Sequence, residues 1–171
     1  MTNEKNIAMS EQDIFIMRLY SSARSWNDAC QLLVEAEKID HRLRFSLNSS
    51  LSLATELSIK TILAIAGHNE KCLTSSKHRL SELFDKLGEE NLNIISSAFS
   101  AAYKTNIGEE IDFKKLIKQH DGAFIEWRYL NFVKDANNLK DNFDYQFMVN
   151  LQKTTGNMME KIHKLYMQGA K

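Results

Sequence analysis

The stretch RLRFSLNSSLSLATELSIKTILAIAG, residues 42–67, decides the fold. Leu43, Leu47, Leu51, Ala54, Leu57, Ile62 and Ile65 recur at the spacing of one helical face. The run is apolar almost all round, which marks a helix surrounded by others. Gly67 stops it, since glycine enters the left-handed conformation without a Cβ clash. The predicted helix spans about Arg42 to Ala66.

Similar stripes extend outward from it. Ser10 and Asp13 form a capping-box signal for a first helix reaching about Lys38, with Phe15, Leu19, Trp26, Cys30 and Leu33 on its face and a break near Ser21-Ser22. Asn69 to Ser76 reads as loop, and Ser75 or Ser76 caps a helix bearing Leu80, Leu83, Phe84 and Leu87 that ends at Gly88. Leu92, Ile95, Phe99 and Ala102 define the next helix. Lys104 to Asp112 reads as loop, Phe113, Leu116 and Ile117 as a short helix, and His120-Asp121-Gly122 as a turn. Phe124, Trp127, Tyr129, Leu130 and Val133 follow on a helix, then a polar break at Asn137 to Asn142. The last helix, Phe143 to Met167, carries Phe147, Leu151, Met158, Ile162 and Leu165. The expected fold is all-α: an antiparallel helical bundle of about five to seven helices, over residues 10–168, with residues 1–9 a disordered N-terminus.

Composition agrees. The 171 residues contain no proline, where about eight would be expected at average usage, and proline is what breaks helix interiors. Twenty-two basic residues balance 22 acidic ones, which excludes bulk attraction to nucleic acid as the working principle. Two cysteines, Cys30 and Cys72, exclude a disulfide scaffold. The longest clean apolar run, Ile62 to Ala66, is far short of the ~20 residues of a membrane span. Without a signal-peptide pattern, a cytoplasmic location with no membrane association is expected.

Three groups of residues are candidates for function. Glu56 and Lys60 are an i,i+4 pair in the favourable order, set among apolar neighbours. Lys77-His78-Arg79 places three basic groups where the helix dipole prefers anions, so Glu56 or an anionic ligand is expected to answer them. In Glu126-Trp127-Arg128-Tyr129, Arg128 is placed for cation–π contact or for pairing with Glu126 or Glu56. Each group also has a purely structural reading. His68, Cys72 and His78 lack a clear fourth ligand, so no metal and no cofactor is expected.

The runs Ala54 to Leu63, Lys77 to Phe84 and Ala123 to Leu130 resemble the HEPN superfamily of small all-α domains, over about residues 10 to 168. The likeness rests on a Glu-Leu-x-x-Lys helix, a His-x-Leu helix start and a Phe-x-x-x-Arg-Tyr helix. It implies dimerisation and, in many members, metal-independent ribonuclease activity in toxin–antitoxin and other defence systems. Their catalytic Arg-x4-6-His is missing here: none of the six arginines has a histidine at that distance. The resemblance therefore implies a non-catalytic dimeric binding or regulatory module in a defence, stress or toxin–antitoxin setting, with a degenerate ribonuclease as the alternative. Glu56, Lys60, His78 and Arg128 are its candidate polar cluster, and a partner protein or RNA is its candidate ligand. Bulky apolar residues at Phe15, Trp26, Phe147 and Met158, more than one bundle is expected to cover, point likewise to a homodimer.

Overall fold

A computed structural model describes residues 9–103, 112–128 and 143–169. Helix α1 (Glu11–Glu37) starts at a capping box in which Ser10 accepts from the Asp13 N–H and Asp13 answers the Ser10 N–H. It runs through Ser21-Ser22 unbroken. A single 3₁₀ turn (His41–Leu43) leads into α2 (Arg44–Ile65), and Gly67 takes a φ of 98° where the chain leaves it. There follow α3 (Glu70–Ser75), α4 (Leu80–Lys86), α5 (Gly88–Tyr103), α6 (Phe113–Gln119), α7 (Ala123–Arg128) and α8 (Tyr145–Gly169). No strand occurs among the described residues. The fold is the all-α bundle that the periodicity predicts.

Helix α2 is the axis. Leu47, Leu51, Ala54, Ile59, Ile62 and Leu63 are buried, and so are Ser52, Thr55, Ser58 and Thr61. Small side chains let neighbouring helices approach from several directions. The four hydroxyls bond back to the carbonyls of Asn48, Leu51, Ala54 and Leu57, which removes the desolvation penalty of burying them.

Side-chain bonds show how α1 and α8 lie on this axis. Gln12 at the start of α1 donates to the Ala64 carbonyl at the end of α2 (2.9 Å), while Glu37 at its other end meets Arg44. The two helices are antiparallel. Tyr166 bonds Asp13, Tyr20 donates to Glu160, and Gln152 donates to Asn27, so α8 also runs antiparallel to α1. Asn27 is the common member: its amide donates to Ser58 of α2 (3.1 Å) and its oxygen accepts from Gln152 of α8 (2.5 Å). Gly156 makes room for it, because a Cβ there would lie 3.1–3.3 Å from the Asn27 side chain.

Rings close the other end of the core. Phe99 stands 5.1 Å from Phe147 and 5.3 Å from Phe113. His120, buried among them, stacks 5.0 Å from Phe147. Its Nδ1 bonds the Leu116 carbonyl and its Nε2 accepts the Asp144 N–H, tying α6 to the start of α8. Acceptance at Nε2 puts the ring proton on Nδ1.

Local expectations fail in three further places. The predicted loop Asn69 to Ser76 contains α3, capped by Asn69. The next helix starts at Leu80 with no side-chain cap from its own N-cap residue, so neither Ser75 nor Ser76 caps it. Leu165 is exposed on α8, while Phe147 and Leu151 of the predicted face are buried, Met158 and Ile162 pack on the core, and Thr155, Met159 and His163 complete the inward side. The loop expected at 104–111, the residues Tyr129, Leu130 and Val133, and the break at Asn137 to Asn142 lie outside the described residues.

Two predictions follow from this packing. Asn27 is pinned from both sides and cannot yield, so Gly156→Ala should destabilise the protein by about 1 kcal/mol, overpacking outweighing the gain in helix propensity. In an Asn27→Ala background the sign should reverse; urea denaturation of the four variants checks this. Burial holds the His120 and His163 imidazoles below their ordinary range. The unfolded chain therefore binds protons more readily as pH falls through about 6.5. Their contribution is complete above that pH, so the melting temperature should fall from pH 7 to pH 5. His120→Asn should flatten that slope.

Candidate functional site

One face of α2 continues past the core. Ser46, Ser49, Ser50 and Leu53 follow the i, i+3, i+4, i+7 pattern of a single helix face, and the same stripe runs on to Glu56 and Lys60. Along its first half lies a groove of about 450 Å³. Its floor is Phe45, Ser46, Ser49, Ser50 and Leu53; Trp26 of α1 forms one wall and Phe124, Trp127 and Arg128 of α7 the other. Ser49 donates to the Phe124 carbonyl at 3.3 Å, holding α7 against α2.

Along the second half the stripe carries a buried carboxylate. Glu56 is 2% exposed. Its Oε1 accepts from Lys60 Nζ at 2.7 Å and its Oε2 meets His78 Nδ1 at 2.9 Å. Lys60 Nζ also donates to the Lys77 carbonyl at 3.3 Å. Of the three basic residues before α4, His78 is answered by Glu56 and Arg79 by Glu82.

The chain before α4 is held in an unusual shape. Lys77 takes a φ of 49°, a left-handed conformation that costs a non-glycine residue about 1–2 kcal/mol. Contacts on both sides hold it: Glu56 and Lys60 below, and the His120–Gly122 turn beside it. The Gly122 N–H donates to the His78 carbonyl (3.3 Å), and Asp121 accepts from the Ser81 N–H (2.7 Å) and hydroxyl (2.5 Å). Asp121, forty residues downstream, thus caps α4.

Phe124 joins the two halves. The His78 ring lies 5.1 Å from it, and the Arg128 guanidinium carbon 5.7 Å above it. Glu56, Lys60 and His78 are therefore in direct contact, and Arg128 shares a ring with His78. Phe124, a ring not among the expected partners, lies under the Arg128 guanidinium; the expected partner Tyr129 lies outside the described residues. Sequence reasoning missed Trp26, Phe45, Ser49 and Phe124 as groove residues. The apolar face of α2 from Leu43 to Ile65 was legible in the sequence; this serine-bearing stripe and the helices that flank it were not.

Other expectations change meaning here. Phe147 is fully buried, and Phe15 and Met158 pack on the core, so of the four residues thought to overflow the bundle only Trp26 stands out, at 38% exposure. His68 Nδ1 meets Cys72 Sγ at 3.6 Å while His78 is engaged elsewhere. Cys30 is buried, and burial pushes its thiol up to about 12.

A second buried carboxylate, Glu37, sits at the far end of α1. It meets His41 Nδ1 at 3.1 Å and Arg44 Nε at 2.7 Å, and these partners, His41 foremost, hold its carboxyl below the usual range. Arg44 lies 4.4 Å over the Tyr145 ring. This cluster clips the α1–α2 connection to α8.

The molecule is thus an all-helical bundle with an aromatic-walled groove beside a fully paired buried carboxylate. The family described as Bacillus thuringiensis toxin matches residues 1–164, and the chain belongs to that family. No curated protein and no solved structure matches it. The family assignment overturns the resemblance to the HEPN superfamily. The physical reason lies in the motifs that carried it: an i,i+4 Glu–Lys pair and a Phe with Arg four residues on are generic products of helix geometry. Such pairs recur wherever amphipathic helices pack.

The buried pair gives a test of its own. Removing one partner leaves the other charge uncompensated, at about 3–5 kcal/mol for a buried pair. Glu56→Ala should cost stability in that range, and Glu56→Leu with Lys60→Met should cost less than the single change; thermal and urea unfolding measure both.

Proposed function

We propose that this member of the toxin family is a non-catalytic binding module whose receptor surface is the groove between α1, α2 and α7. The supporting observation is the engagement of His78. Its Nδ1 is tied to Glu56 and its ring is packed on Phe124, the groove wall. The pair Glu56–His78 props a short helix whose position sets the width of the groove. Lys60, on the other carboxylate oxygen and the Lys77 carbonyl, fixes the same turn from below.

This arrangement separates foundation from recognition. The foundation is buried and charged, and the groove above it is aromatic, lined with hydroxyls and, among its described lining residues, carries the cationic Arg128. Concave, largely apolar sites with a few polar groups are the usual form of a ligand pocket, and their volumes run to about 300–1,000 Å³.

The purified protein, incubated in chelator with mixed-sequence RNA and with p-nitrophenyl acetate, should show no turnover above background. Cleavage of either by the wild type that both His78→Ala and Arg128→Ala abolish would establish an enzyme and overturn this reading.

A further inference from the structure

A second surface, separate from the groove, has a partner of its own. We infer that α1 pairs antiparallel with the α1 of a second copy of this chain, about a two-fold axis level with Ala23.

The face concerned points away from the core. At about 100° per residue, Ile14, Ser21, Ser25 and Leu32 lie opposite Ile16, Ala23, Asn27 and Cys30, the buried side of α1. Ile14, Leu32 and Ile39 expose 40%, 74% and 90% of their surface, so large apolar side chains recur along one exposed stripe. The series Ile14, Arg18, Ser21, Ser25, Asp28, Leu32 alternates steps of four and three residues, the repeat of a seam between two helices.

The order of residues along that seam selects the occupant. In a two-fold contact residue i meets j while j meets i. With the axis level with Ala23, Arg18 meets the partner's Asp28, Ile14 meets the partner's Leu32 and Ser21 meets the partner's Ser25, each pair formed twice. Among the described residues, the side chains of Arg18 and Asp28 have no partner within the protomer, so the contact gives each an opposite charge. A shallow depression lined by Met9, Ile14, Met17 and Arg18 stands where the partner's Leu32 arrives. A parallel pair would instead set Arg18 on the partner's Arg18 and Asp28 on the partner's Asp28, like charge on like. Sliding the antiparallel pair by one heptad would bring Arg18 to the partner's Glu35, a residue that Lys38 of its own helix meets at 2.7 Å, and would leave Asp28 on a serine. The matched span from Ile14 to Leu32 rises about 27 Å at ~1.5 Å per residue. Phe15, Phe147 and Met158, expected from the sequence to carry a dimer, take no part in this seam, and Trp26 lies to one side of it, so the groove stays open in the pair.

Sedimentation equilibrium of the full chain from about 1 to about 200 µM reads the state directly. Wild type should approach twice the mass of one chain at the upper end. Arg18→Glu and Asp28→Arg each place like charges together twice, and each should raise the dimer Kd about tenfold or more. Combined in one chain, they should return it to within about threefold of wild type, because the reversed charges meet again only where these two positions face each other. Lys164→Glu, a reversal on the exposed face of α8, should leave the Kd unchanged. Arg18 and Asp28 are exposed, so every variant should keep the far-UV circular dichroism of wild type. A wild type that keeps the mass of one chain throughout overturns the inference. So does a dimer that the single reversals leave intact, one that the double reversal fails to restore, or one that Lys164→Glu weakens equally.

Discussion

Glu56 is a carboxylate on the one helix that the rest of the protein surrounds, and a buried charge must be met by partners fixed in place. Lys60 comes from the next turn of the same helix, so half of the answer is local. The other half, His78, arrives from the chain before α4, and bringing it there forces Lys77 into a left-handed conformation. Once that turn is fixed, its backbone and the Ser81 hydroxyl are available to Gly122 and Asp121, and α7 is seated beside α2. The groove wall therefore depends on an ion pair that the groove itself does not contain.

A second polar knot performs a different task. Asn27, Ser58 and Gln152 join α1, α2 and α8 in the middle of an otherwise apolar contact. Apolar faces of helices slide past one another at little cost, whereas a buried amide has one register in which its donors and acceptors are met. Gly156 is the matching gap. Gln12 and Glu37 fix the two ends of α1 against α2 in the same way, so the antiparallel arrangement is held at three points along its length.

Short charged motifs proved a poor guide to kinship. Glu-Leu-x-x-Lys on α2 and Phe-x-x-x-Arg on α7 both place side chains one turn apart, where any helix favours a pair. What is particular to this chain lies in contacts between elements: His78 on Glu56, Asp121 on Ser81, Phe124 between His78 and Arg128. None of these has a fixed sequence spacing, and none was open to a reading by motif.

The sequence by itself determined that the chain is helical, where α1, α2 and α8 run, and that Glu56 and Lys60 would meet. Those outcomes follow from backbone sterics and side-chain spacing within a few turns. Even the separate structural reading of Glu56 needed nothing beyond its apolar neighbours. Tertiary structure decided the rest. It turned the predicted loop at Asn69 into α3, moved the start of α4 to Leu80 by capping it from Asp121, and buried Phe147 while leaving Trp26 at a cleft. It also placed Phe124, a ring not expected there, under Arg128. Each of these depends on which helices become neighbours, and that is settled by the summed packing of the core rather than by any local run of residues.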